Sequence, residues 1–267
     1  MLDSQFDQAG VSHPNLSKNL NMWSYKERIR AMDETLSHLK IKDWRATSVL
    51  NIGSGTGVWE DYFSKKGVRE LIGLDISKKS VNSLSNKFRS YKFIHLDASS
   101  KEFQSLMRNN FDIVIVADVL LHIVDIDKFE RAMSNILHSA KKSGVVVIID
   151  PVVIRAGFLS RFLIYRQGDT SRARELSSYR KLFSESGFRL RRIKPVTVFL
   201  NSPIEGRSDF EFRAFNRIWR MISMIDHKNE VIGWITGASL YFIDMLLLKM
   251  SNLGPSSKIM LLQRGSN

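Results

Sequence analysis

The sequence predicts an α/β fold, a doubly wound seven-stranded sheet with an α-helical cap inserted between its last two strands. Three observations predict it. Short β-branched runs alternate with helical patterns through the first 150 residues, as in a parallel sheet with crossover helices. An apolar strand runs directly into glycines at positions 53, 55 and 57. An aromatic-rich stretch, 201 to 256, separates the last two strand-like runs, which as neighbours would need only a short turn.

The elements follow in order. Residues 1–44 form a helical arm, with the helix over Leu16 to Leu39 carrying Trp23, Tyr25 and Arg28. Met1 to Gly10 lacks the charged start and apolar run of a secretory signal, so the expected compartment is the cytoplasm. Ser48 to Ile52, Glu70 to Leu74, Tyr91 to Leu96, Phe111 to Ala117 and Gly144 to Asp150 read as strands. Trp59 to Lys66, Lys78 to Phe88, Lys101 to Arg108 and Asp127 to Lys141 read as the helices between them. Asp127 is the expected cap of the last, and Phe129, Met133, Ile136 and Leu137 make its core stripe. A helix over Ser178 to Ser186 and strands over Arg192 to Leu200 and Lys258 to Gln263 complete the domain, 45–200 plus 257–267.

The insertion, 201–256, holds Phe210, Phe212, Phe215, Trp219, Trp234, Tyr241 and Phe242, which suits a helical cap better than disorder. Its window Val231 to Met250 is the most apolar of the chain. Thr236, Ser239 and Asp244 interrupt it, which argues against a spanning helix and leaves peripheral attachment at the inner membrane face open.

Composition narrows the chemistry. The 267 residues include no cysteine, which excludes disulfides, thiolate zinc sites, iron–sulfur clusters and cysteine nucleophiles. The six histidines show no ligand spacing, so no metal is expected. The net charge is +13, of which Pro151 to Ile225 carries +9. Thirteen of the fifteen basic residues there are arginine, the side chain whose planar fork matches carboxylate and phosphate, so an anionic partner is indicated beside the simpler reading of a solvated basic face.

The segment Val49-Leu-Asn-Ile-Gly-Ser-Gly-Thr-Gly57 lets backbone approach a ligand at a helix N-terminus. The dinucleotide pattern would need glycine at 58, where Val58 stands. A bare turn would explain the glycines alone, and a helix cap would explain one acid. Asp75 and Asp97, however, close the next two strands, so three consecutive strands aim polar groups at the crevice of an open α/β sheet.

On these residues the chain from 45 to 152 resembles the class I S-adenosylmethionine-dependent methyltransferases, with their Rossmann-like sheet. The resemblance implies S-adenosyl-L-methionine as cofactor. By that likeness Asn51, Gly53, Ser54, Gly55 and Gly57 wrap its methionine part, Asp75 and the adjacent Ile76 meet the ribose side, and Asp97 with Ala98 meets the adenine. Ala117 to His122 borders the sulfonium and the acceptor by the same likeness; Tyr25 and Arg28 of the arm are candidates to close over the cofactor, with packing against the sheet an equal reading of the aromatic. Asn51 departs from the family, which usually has an acid there.

For the acceptor, absent cysteine excludes attack on a cytosine ring by a thiolate and radical methylation by a cluster. Ala117-Asp-Val-Leu stands where enzymes methylating exocyclic base amines carry a Pro-Pro-aromatic run, so a hydroxyl oxygen leads. His122 is the candidate base, with Asp118 and Asp125 as alternatives. Residues 161–183, Tyr241-Phe-Ile-Asp-Met-Leu and Gly254-Pro-Ser-Ser-Lys-Ile are similar to stretches of bacterial polysaccharide and sugar O-methyltransferases. That likeness assigns Arg155, Arg166, Arg172, Arg174 and Tyr179 to an anionic glycan or sugar substrate, at or near a membrane surface. An RNA methyltransferase and a non-catalytic partner subunit of the same fold stand as the rival readings.

Overall fold

The computed structural model describes residues 13, 15–108, 110–155, 157–158, 170–250 and 254–265. Helix α1 (Lys18–Ser37) leads into β1 (Ser48–Ile52), α2 (Val58–Lys65), β2 (Glu70–Asp75), α3 (Lys78–Lys87), β3 (Lys92–His95), α4 (Glu102–Met107) and β4 (Phe111–Ala117). A 3-10 turn over Leu120–His122 precedes α5 (Ile126–Ser139), β5 (Ala140–Asp150), β6 (Val152–Val153), β7 (Arg174–Glu175), α6 (Leu176–Glu185) and β8 (Phe188–Pro195). Helices α7 (Asp209–Asp226) and α8 (Glu230–Met250) then lead to β9 (Lys258–Arg264).

The seven-stranded sheet has the order β3-β2-β1-β4-β5-β9-β8. Pairs from β3 to β5 are parallel, and β9 runs antiparallel between β5 and β8. Strand residues alternate between two apolar layers, as the pleat requires. Leu50, Ile52, Val114, Val116, Val146 and Ile148 face α4, α5 and α6 through Phe103, Met133, Ile136 and Phe183. Val49, Ile113, Ile115, Val145, Val147 and Ile149 face α1 and α2 through Met32, Leu36, Trp59 and Phe63. Burial on both faces is why β1 and β4 read as unbroken apolar runs.

Four details differ from the sequence expectation. Helix α5 is capped by Asp125, whose carboxylate accepts from Lys128 N at 2.8 Å, so Asp127 falls inside the first turn. It ends at Ser139, directly abutting β5, rather than at Lys141. The edge strand is β8, Phe188–Pro195, rather than the run from Arg192 to Leu200. Past Pro195 the backbone leaves the ladder because Asp244 accepts from the amides of Val198 and Phe199 at 2.9 and 3.0 Å. The short β6–β7 pair, Val152 and Val153 against Arg174 and Glu175, was not expected.

The arm and the insertion meet as one helical layer. Asp226, at the end of α7, accepts from Ser17 N at 2.6 Å and Ser17 Oγ at 2.5 Å. Glu230, opening α8, accepts from Lys18 N and Asn19 N at 3.0 and 2.9 Å, so two carboxylates from the insertion satisfy the free amides of α1. Trp23 lies so close to α8 that a Cβ at Gly237 would fall 2.3 Å from its ring. By length and composition α8 is long and apolar enough to cross a membrane.

Candidate active site

Strands β1, β2 and β4 end side by side, with Ile52 paired to Leu74 on one side and Val116 on the other. The chain leaves β1 toward β2 and returns to β4 on its opposite flank, which makes this edge the switch point where open α/β sheets bind ligands. Gly53 N and Ser54 N donate to Leu74 O at 2.8 and 2.9 Å and turn the loop over the end of β2. Gly53, Gly55 and Gly57 all have positive φ. At Gly53 a Cβ would sit 2.1 Å from Val119 Cγ2, so both its conformation and the close passage of the loop beyond β4 demand glycine.

Asp75 braces this loop, accepting from Gly55 N at 2.7 Å through Oδ2 and from Ser77 N at 2.8 Å through Oδ1. Each oxygen retains a second lone pair, as a ribose diol would need. Beside it Ile76 is 68% exposed, an apolar surface left bare at the rim. Asp97 uses Oδ1 to hold Ser99 N and Oγ at 2.7 and 2.8 Å, and Ala98 is buried next to it.

Beneath the glycines lies a residue that the motif did not reveal. Asn51 is fully buried and its Nδ2 donates to Glu60 Oε1 at 2.7 Å, so the carboxyl group missing from position 51 is present one hydrogen bond away. Burial pushes the Glu60 carboxyl above the usual carboxylate range. Asn51 Oδ1, Ser54 Oγ and Glu60 Oε2 are buried with no hydrogen-bond partner among the described residues. Buried polar atoms without a partner are few in folded proteins, and three gathered at one strand end call for an explanation. Together with Asp75 and the bare Ile76 they fit the amino-acid and nucleoside parts of S-adenosylmethionine.

The arm reaches the same edge. Arg28 Nε donates to Asp118 Oδ2 at 2.7 Å, and its other end holds Ser24 Oγ at 2.6 Å. Tyr25 stacks on that guanidinium at 5.3 Å, and burial raises its phenol above the usual value. Asp118 follows Ala117 with φ of +55°, a left-handed conformation that an aspartate tolerates at some cost in strain. Its Oδ2 is engaged by Arg28, which suits positioning better than proton transfer. His122 is exposed, and Nδ1 lies 3.2 Å from Thr170 O. A carbonyl only accepts, so Nδ1 is the donor of this contact, and in the neutral imidazole Nε2 is the acceptor. Asp125 is spent on the cap of α5.

The residues assigned to substrate divide. Tyr179 is fully buried with its hydroxyl on Asp150 Oδ2 at 2.5 Å, and Arg174, buried against the Phe129 ring, donates to the carbonyls of Leu120 and Ile123. Both are corrected to scaffold, because they hold the turn that presents His122 and have no surface to offer a substrate. Arg172 is half-buried and its amide donates to Leu121 O at 2.7 Å, which places it beside His122, while Arg155 is exposed. Arg166 lies outside the described residues. Among the described residues no group of His, Asp and Glu is arranged to hold a metal ion.

Residues 49–144 match the family model described as a methyltransferase domain. The chain is 27% identical over 123 residues to the ubiquinone biosynthesis O-methyltransferase of Pelagibacter ubique, 45% of either length. It is 30% identical over 98 residues to the ribosomal protein L11 methyltransferase of Aquifex aeolicus, 37% of either length. It thus spans less than half the length of these curated relatives. Magnesium protoporphyrin IX methyltransferase from Synechocystis PCC 6803, solved with bound SAH, superposes with a TM-score of 0.55 at 14% identity, covering 93% of this chain and 86% of that one. Residues 49–144 are therefore similar to a methyltransferase domain, and the sheet that carries them has the fold of a solved methyltransferase.

Proposed function

We propose that the protein is an S-adenosylmethionine-dependent O-methyltransferase whose acceptor is a hydroxyl of an anionic sugar or glycan. The observation that carries oxygen transfer is the contact of His122 Nδ1 with Thr170 O at 3.2 Å, which engages one ring nitrogen and leaves Nε2 open on an exposed side chain just past β4. Bound by the glycine loop, Asp75 and Asp97, S-adenosylmethionine supplies a methyl group on a sulfonium, an electrophile that asks mainly for an in-line nucleophile. His122 Nε2 would take the hydroxyl proton as the methyl group passes from sulfur to oxygen, the C–S bond breaking to leave the neutral thioether. Arg28 holds Asp118 and with it the backbone at the end of β4, so that this rim is preorganised. Arg172, next to His122, and the exposed Arg155 supply the anion-recognising charge.

The relatives act, by their names, in ubiquinone synthesis, on a ribosomal protein and on a porphyrin, so the acceptor here rests on this chain's own charge and on its likeness to sugar O-methyltransferases. The test is transfer of a labelled methyl group from the cofactor to separated glycan, lipid and RNA fractions. Label in an anionic glycan is expected. Label in RNA replaces the acceptor, and cofactor binding without transfer to any fraction replaces the enzyme with a non-catalytic partner.

A further inference from the structure

Helix α8 is apolar on the side it turns to solvent as well as on the side it packs. The residues it buries fully are Gly233, Gly237 and Asp244, with the half-buried Ala238, Leu240 and Tyr241 beside them against Leu20 and Trp23 of α1. The side it turns to solvent carries Val231, Ile235, Phe242, Leu246 and Met250, with Phe242 and Leu246 each 57% and Met250 84% exposed. A helix on the surface of a globular protein in water buries its apolar stripe and exposes a polar one. The neighbouring α7 continues the surface. Phe210, Arg213, Arg217, Met221 and Met224 recur at helical spacing and all are exposed, with Arg220 alongside. Among the described residues none of these three arginines has a carboxylate within ion-pair distance.

We propose that the outward face of α7 and α8 docks on an anionic lipid bilayer, with α8 lying in the plane of the interface. A bilayer surface offers hydrocarbon to Phe242, Leu246 and Met224 and phosphate to the arginines, whose alkyl stems lie along apolar surface while their heads reach charge. An apolar protein partner would match the first feature and leave the arginines unanswered. A second copy meeting across a twofold axis would bring the same arginines face to face.

Spanning is opposed by the structure itself. Asp244 sits within α8, is fully buried, and holds Val198 N, Phe199 N and the Thr197 hydroxyl. Gly233 and Gly237 seat the same helix on Ser17 and Trp23 of α1. A helix crossing the bilayer would abandon these bonds and carry a carboxylate into hydrocarbon. The inference stands apart from the methyltransferase reading, since none of these residues belongs to the cofactor edge.

The test is co-sedimentation of the full chain with vesicles of phosphatidylcholine, with and without phosphatidylglycerol, together with quenching of tryptophan emission by bromine-labelled lipid. Binding that requires phosphatidylglycerol and weakens with salt is expected, with Trp234, 51% exposed on α8, contributing to the quenched emission. Replacing Arg213, Arg217 and Arg220 by Gln should weaken binding roughly a hundredfold, and F242S with L246S roughly tenfold or more. Both variants should keep the wild-type melting temperature and cofactor affinity, because they alter exposed side chains remote from the cofactor edge. Failure of the wild-type chain to bind phosphatidylglycerol vesicles overturns the proposal, as does equal binding by folded variants. Resistance to alkaline carbonate extraction overturns it in favour of spanning. A lipid-free dimer dissolved by the same substitutions overturns it in favour of a second copy.

Discussion

Arg28 and Asp118, 90 residues apart in sequence, form an ion pair at 2.7 Å that ties the N-terminal helix to the end of the fourth strand. The guanidinium is buried, whereas the carboxylate side chain is one-third exposed, so the pair stands at the boundary between core and site. Arg28→Ala should cost about 2 kcal/mol in denaturant unfolding, the worth of a charge-assisted bond lost to a partly buried partner. Cofactor affinity, measured by calorimetry, should fall with it. Asp118→Asn, which keeps an acceptor for Arg28, should cost less on both measures.

The pairing of Asn51 with Glu60 makes a charge-swap test possible. Glu60→Gln should weaken cofactor binding about tenfold, the value of one hydrogen bond to a charged group. Asn51→Asp alone would set two carboxyls 2.7 Å apart and should destabilise the fold. The double variant Asn51→Asp with Glu60→Gln restores one acid and one amide and should regain most of the affinity. Calorimetry reads all three without any need for turnover.

His122→Ala should slow methyl transfer by about 10² to 10⁴-fold, the usual contribution of a positioned base, while cofactor affinity stays at the wild-type value. Added imidazole should restore part of the rate. A rate unchanged by the substitution would remove His122 from proton transfer.

Asp150, fully buried at the end of β5, is pushed up to about 7 by burial, against the opposing hydroxyl of Tyr179 and the nearby Arg174. Between an ordinary value of 3.8 and about 7 the folded chain keeps a proton that the unfolded chain has released. Stability therefore falls as pH rises through that interval, by up to about 4 kcal/mol for this group. Glu27, raised by burial to about 7, adds a slope of the same sign. Asp150→Asn should flatten the profile of unfolding free energy against pH and leave the Glu27 part.

Much of the sheet was legible because its strands are buried on both faces and bounded by glycine or polar residues. β1 and β4 begin and end where the apolar runs do. The edge strand was misplaced. A register shift between Leu190 and Arg192 breaks its alternation, while the Val-Thr-Val-Phe run beyond it is held by Asp244, a contact 46 residues distant. Asp75 and Asp97 were readable from strand-end position. Glu60 was not, because it meets Asn51 only after α2 folds back over β1. Arg174 and Tyr179 looked like substrate residues, since a polar side chain reads alike whether it faces solvent or, as here, Phe129 and Asp150. The apolar window of α8 was visible, but which side it would turn outward depends on the glycines that seat it against α1.

The carboxylates that close the first turn of α1 have a consequence for the order of assembly. Ser17 leaves the ribosome 209 residues before Asp226, its partner, is made. Until the α7–α8 junction emerges, the amides of Ser17, Lys18 and Asn19 have only solvent, and the helix is capped by Ser17 Oγ through Leu20 N alone. The parallel strands β1 to β5 can collapse on local βαβ units well before then, so the start of α1 docks after them during synthesis. A ribosome-stalled chain ending before Asp226 should thus expose the first turns of α1 to protease while the parallel strands already resist it.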